Sequence, residues 1–207
     1  YYPEDAITAR MLVTFTSTLS ELGTYAKVNE GKLPPYKLSE ILKEDGPGYS
    51  IDNYINYKPG TRVLYSNLSL GMVGTLVEKI TGKKFAEYAK EAVFEPLGIT
   101  ASYDPRTFSE DEAKRIATPY EYGYNEANNP YLHLGIKGPE VTGPALNNKL
   151  KLIDLPIGES YRSSQGNLYI VPTDLMKIET VLMNKGVYND IRILSEKITE
   201  EIFKVYA

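Results

Sequence analysis

A long apolar-periodic segment with two glycines inside it constrains this chain more than any other feature. Leu70, Val73, Leu76, Val77 and Ile80 recur at three- and four-residue steps across residues 68–80, the spacing of one face of a helix. Gly71 and Gly74 interrupt the same segment. A glycine weakens a helix by about 1 kcal/mol relative to alanine, so the pair predicts a helix lying close against another element. Pro59-Gly60 turns the chain beforehand, and residues 61–64 form a short extended piece leading into Tyr65-Ser66-Asn67. Thr81-Gly82 breaks the helix. Residues 83–94 then carry Phe85, Tyr88, Ala89 and Ala92 as the stripe of a second helix, closed by Pro96-Leu97-Gly98.

The rest of the chain reads in the same way. Met11, Leu12, Phe15, Leu19 and Leu22 predict a helix over residues 8–22, with Gly23 as its stop. A short helix is expected over 38–42. Ser109 and Glu112 have capping-box spacing, predicting a short helix to about Ile116. Residues 118–160 are rich in Pro, Gly, Asn and Tyr and read as a long irregular loop. A helix over 174–184 would turn Leu175, Ile178, Val181 and Leu182 inward. Ser195 caps the last one, whose apolar positions are Ile198, Ile202 and Val205. The fold class is therefore mainly α (α+β), and 207 residues suit one domain or one large subdomain.

Composition narrows the function classes. The net charge of −4, with both signs interspersed, leaves no general basic field for nucleic acid. No apolar stretch reaches the length of a membrane helix. The chain has no cysteine, which removes disulfides and thiolate chemistry, and a single histidine, His133. Any metal site would rest on carboxylates, and no cofactor motif is present. Asp104, Asp111 and Glu112 read as caps and solvated charges. His133 and most of the 18 tyrosines read as packing or surface residues. A Gly-x-Ser-x-Gly elbow is absent, which argues against an α/β-hydrolase.

Tyr65 and Asn67 stand at the junction of the extended piece with the helix. Side chains two apart on an extended piece point the same way, so both can face one cleft; Asn67 is also a plausible helix cap. Ser17 has Ser20 rather than a lysine three residues on, and Ser163 and Ser164 have no lysine at that spacing either. All three read as structural.

Four blocks in order resemble the β-lactamase-related serine hydrolases, a family that includes class C β-lactamases, D-alanyl-D-alanine carboxypeptidases, related esterases and D-amino-acid peptidases. Residues 7–19, Ile-Thr-Ala-Arg-Met-Leu-Val-Thr-Phe-Thr-Ser-Thr-Leu, are similar to its Ile-Thr-x-Arg-x-Leu-Leu-Thr-His-Thr-Ser-Gly-Leu block. Tyr65-Ser66-Asn67 with its helix pair matches the Tyr/Ser-x-Asn motif. Residues 163–175 resemble the Gly-Gly-Leu-x-Ser/Thr-x-x-Asp-Leu block, and residues 184–195 the Asn-Gly-Gly to Ile-Leu-Ser stretch. Phe15 stands where the family usually has His, and Thr18 where it usually has Gly.

The resemblance implies the helical subdomain of a serine β-lactamase/DD-peptidase-like fold, without most of the family's central antiparallel sheet. It implies a small acyl or peptide substrate, an active site completed by N- and C-terminal parts of the same domain, and an extracytoplasmic or secreted setting. Tyr65 would relay protons, and Asn67 would hold the substrate amide and orient a lysine. The family's Ser-x-x-Lys and Lys-Thr-Gly motifs do not occur in these 207 residues. The chain by itself is therefore expected to be inactive, the alternative being a non-catalytic relative that binds peptide or cell-wall fragments.

Overall fold

A computed structural model describes residues 4–117, 120–124, 133–137, 154–162 and 164–204. In chain order the elements are α1 Ala9–Val13, α2 Thr24–Asn29, α3 Leu38–Leu42, α4 Asn67–Thr81 and α5 Phe85–Ala89, which continues into a π-helical turn Lys90–Phe94. There follow α6 Glu110–Ala113, β1 Tyr120–Tyr124, β2 His133–Lys137, α7 Pro172–Met183, β3 Val187–Tyr188, β4 Ile191–Arg192 and α8 Glu196–Ile202. The chain divides into two compact units: Tyr1–Tyr103 with Ile153–Ala207, and Asp104–Leu152.

The first unit holds two apolar clusters. Leu12, Leu19, Leu38, Ile41, Leu68 and Tyr161 build one around the start of α4. Phe94, Leu97, Ile99, Ala101 and Val181 build the other between the π-helical turn and α7. Burying side chains of this kind removes roughly 1.5–3 kcal/mol each from water.

The helix expected over residues 8–22 is cut short. α1 ends at Val13, and Phe15 and Thr18 take left-handed φ angles of 57° and 69°. Three β-branched threonines at 14, 16 and 18 disfavour helix here, and tertiary bonds take over from the helical ladder. Ser20 N–H donates to the Asn53 carbonyl (2.8 Å), and Ile55 N–H donates to the Thr18 carbonyl (2.8 Å). Gly23 does not stop that helix; it is the N-cap residue of α2.

The close packing expected of Gly71 and Gly74 is present. A Cβ on Gly71 would lie 1.8 Å from the Tyr161 carbonyl oxygen. Gly74 N–H donates to Ser164 Oγ (3.0 Å), and that hydroxyl donates to the Leu70 carbonyl (2.5 Å). The helix therefore buries its small and polar face: Ser69, Gly71, Gly74, Thr75 and Glu78 beside Leu68. The Leu70–Ile80 stripe is covered in part, with Val73 and Leu76 packed against the first cluster. Leu70, Val73, Leu76 and Val77 are half-buried and Ile80 is 83% exposed. Glu78 is buried because its carboxylate accepts two backbone N–H groups, from Phe85 (3.0 Å) and Gly158 (2.8 Å). It thereby pins the start of α5 and a loop to α4.

The other apolar stripes depart from expectation. In α7 Val181 is buried, but Leu175 is exposed. In α8 Ile198 and Ile202 are exposed and Thr199 is buried, while Val205 lies outside the described residues. The hairpin β3–β4 turns through Asn189 and Asp190, both at positive φ, as a two-residue turn of this hand requires.

The second unit corrects the reading of 118–160 as irregular throughout. β1 and β2 pair antiparallel, with Tyr120 opposite Lys137 and Tyr124 opposite His133. The alternation Tyr120-Glu121-Tyr122-Gly123-Tyr124 is a period-2 signal that the surrounding Pro, Gly and Asn obscure. Residues 125–132 and 138–153 lie outside the described residues. α6 has the expected capping box: Glu112 N–H donates to Ser109 Oγ (3.3 Å), and Ser109 N–H donates to Glu112 Oε2 (2.8 Å). No helix among the described residues is long and apolar enough to cross a membrane.

Candidate active site

Tyr65 and Asn67 meet at the start of α4. The Tyr65 hydroxyl donates to Asn67 Oδ1 at 2.9 Å, and the Tyr65 side chain is 58% exposed. The chain approaches as extended backbone. Ser66 then caps the helix, its Oγ accepting Ser69 N–H at 3.2 Å. The sequence leaves the cap to Asn67, but Ser66 takes that role, which frees the Asn67 amide to face Tyr65. Among the described residues, Asn67 Nδ2 makes no hydrogen bond.

Residues 15–21 hold this pair from one side. The Phe15 carbonyl accepts Leu64 N–H (2.8 Å), and the Phe15 ring lies 5.0 Å from that of Tyr65. Ser17 Oγ and Ser69 Oγ share a buried hydrogen bond of 2.6 Å. Glu21 Oε2 accepts the N–H of Asn67 at 2.8 Å. Phe15 and Glu21 were not legible as site neighbours, because contacts between residues 46 or more apart leave no local pattern. The family block that contains Phe15 was the one available signal.

The other candidates stay apart from the pair. Ser17 is fully buried in its bond to Ser69, and Ser164 is tied to the Leu70–Gly74 step of α4; both are structural. Ser163 lies outside the described residues. His133 stands in β2, and its side chain is not described. Asp104 caps the turn Pro105–Thr107 by accepting Arg106 N–H (2.9 Å), Glu112 belongs to the capping box, and Asp111 pairs with Lys114. Among the described residues no group of three or more His, Cys, Asp or Glu could hold a metal ion.

A phenol hydrogen-bonded to a carboxamide thus stands at the head of a glycine-bearing helix, within a mainly helical unit. The family model described as Beta-lactamase matches residues 1–201, and the chain belongs to that family of hydrolases. It is 24% identical over 102 residues to a putative D-alanyl-D-alanine carboxypeptidase of Escherichia coli K12, covering 47% of this chain and 23% of that protein. It is 32% identical over 117 residues to a β-lactamase of Pseudomonas fluorescens, covering 55% and 29%. Among solved structures, the octameric penicillin-binding protein homologue of Pyrococcus abyssi superposes with TM-score 0.59 at 20% identity, over 96% of this chain and 38% of that one. Simvastatin synthase (LovD) of Aspergillus terreus superposes with TM-score 0.62 at 22% identity, over 97% and 44%. The chain thus spans less than a third of the length of these two curated relatives.

Proposed function

We propose that the chain is the helical subdomain of a serine acyl hydrolase acting on D-amino-acid peptides, β-lactams or small esters. Tyr65 serves as the proton relay and Asn67 as the amide that holds the substrate and orients a lysine. The observation that carries this reading is the exposed Tyr65 hydroxyl donating to Asn67 Oδ1 at 2.9 Å. A phenol that donates to an amide oxygen keeps its own lone pairs. To relay, it gives its own proton to a base, the role this reading assigns to the lysine, as it takes one from the attacking hydroxyl, and it later passes that proton to the leaving group. The Asn67 Nδ2 donors are free among the described residues to meet a substrate carbonyl. The names of the carboxypeptidase and β-lactamase relatives support the substrate classes.

The Ser-x-x-Lys motif that would supply the nucleophile is absent from these 207 residues, so the groove is completed by other parts of the same domain, and this chain by itself is inactive. Exposed apolar side chains at the ends of three helices support that reading: Ile80 of α4 is 83%, Met183 of α7 75% and Ile202 of α8 52% exposed. The same side chains favour a second reading, a helical binding relative without chemistry.

An activated ester and a β-lactam separate these readings. The 207-residue chain should turn over neither. The full-length protein that contains it should be acylated by a penicillin or a fluorophosphonate, with Tyr65→Phe slowing turnover by about 10²–10⁴-fold. Turnover by the isolated chain that is lost in Tyr65→Phe would overturn the claim of dependence on further chain. A full-length protein inert to both probes would favour the binding relative.

A further inference from the structure

We propose that Glu21 is a positioning residue for the Tyr65–Asn67 pair, an inference that rests on the role proposed above for that pair. Its Oε2 accepts the backbone N–H of Asn67 at 2.8 Å across 46 residues of sequence. Among the described residues the Glu21 side chain makes no ion pair and no second hydrogen bond. Asn67 is the first residue of α4, so its N–H has no acceptor within the helix. The Ser66 cap is already committed to Ser69 N–H. A carboxylate gives the Asn67 N–H a charge-assisted bond, and it sits where a 15-residue helix favours negative charge.

The geometry gives this contact a consequence beyond capping. Tyr65 is held at its ring and at the backbone before it by Phe15, while Asn67 is held at its backbone by Glu21. Both anchors belong to one short segment, residues 15–21. Its path is fixed by the buried Ser17–Ser69 bond and by the bond from Ser20 N–H to the Asn53 carbonyl. The separation of the Tyr65 hydroxyl and the Asn67 amide is therefore set by where these two anchors lie. Removing Glu21 frees the Asn67 end and leaves the Tyr65 end in place. The pair loses register while the hydroxyl itself remains.

The test uses the full-length protein, with an activated ester as probe. Glu21→Ala should lower kcat about 10-fold with KM little changed, as expected when a reacting group is displaced by a fraction of an ångström. Glu21→Gln keeps an oxygen at the same reach and should recover kcat to within about threefold. Amide exchange at Asn67 should accelerate in Glu21→Ala and return towards the parental rate in Glu21→Gln. If Tyr65→Phe is slow and Glu21→Ala runs at the parental kcat, the positioning role is overturned and the pair's role stands. Equal loss in the Ala and Gln variants, with a matching fall in Tm, also overturns it, since that pattern marks general destabilisation. A Tyr65→Phe protein at the parental rate overturns the reading of the pair, and the role of Glu21 with it.

Discussion

Thr18 shows how one residue carries both a family pattern and its physical reason. The family places Gly there, and the backbone has φ 69°, a region where a side chain crowds the following carbonyl. A β-branched residue in that conformation is strained by about 1–2 kcal/mol. Glycine would relieve that strain while adding roughly 0.5–1 kcal/mol of unfolded-chain entropy. Thr18→Gly is therefore expected to raise stability by up to about 1 kcal/mol, read as a higher urea midpoint at unchanged slope; a lower midpoint would show that the Thr18 methyl packs well enough to offset the strain. Phe15 has the same left-handed backbone, and there the side chain has an evident use in packing on Tyr65. At this scale the meeting of Tyr65 with Asn67 was legible, because an extended-to-helix junction sets their common direction. Glu21 was not, because its contact exists only after the chain has turned back on itself.

The helices sort by where their ends are satisfied. α3 and α6 carry local caps, from Glu40 to Lys37 N–H (2.7 Å) and within Ser109–Glu112, and the sequence marks the second. The N-cap residue of α2 is Gly23, which has no side chain to cap with; Asn53 Oδ1 accepts Thr24 N–H (2.7 Å) from 29 residues away. Nothing near residue 24 announces that helix. In α4 the periodicity marks the element, and the two glycines mark where it is approached most closely. Its glycines, not its leucines and valines, set which side lies against the Tyr161 backbone. This makes Gly71→Ala a sharp test. Alanine favours helix by about 1 kcal/mol, but its Cβ would lie 1.8 Å from a backbone oxygen that cannot rotate away. Overpacking of a filled core costs roughly 1–3 kcal/mol, and this contact belongs at the upper end. Gly71→Ala should lower stability by a net of about 2 kcal/mol, read as a lower urea midpoint. A stabilised Gly71→Ala variant would mean that α4 is not seated against Tyr161.

The stability of the folded chain should depend on pH through its buried tyrosines at one end and its bonded carboxylates at the other. Burial raises the phenols of Tyr57, Tyr103 and Tyr169 above their ordinary value, opposed at Tyr57 by Arg62, and pushes Tyr161 up to about 12. An unfolded tyrosine ionises near pH 10. Between about 10 and 12 the unfolded chain therefore releases protons that the folded chain keeps, and stability falls as pH rises through that window. At the acid end, the hydrogen bond from Lys177 holds the Asp174 carboxyl below its usual range, with Thr100 N–H adding to it. Burial acts to raise Glu159, but its bonds from Ser39 and the charges of Lys79 and Lys37 leave it lowered. Both contributions are present above the ordinary carboxylate range and are lost as pH falls through it. A plateau between these limits, with a loss on either side, is the expected profile of the urea midpoint. The Tyr161 hydroxyl is buried without a hydrogen-bond partner among the described residues. Tyr161→Phe removes an unpaired polar atom from the core, so the neutral-pH midpoint should hold or rise and the alkaline limb should become shallower. A destabilised Tyr161→Phe at neutral pH would mean that the hydroxyl is hydrogen-bonded in solution, and an unchanged alkaline limb would assign that loss to Tyr57, Tyr103 and Tyr169 alone.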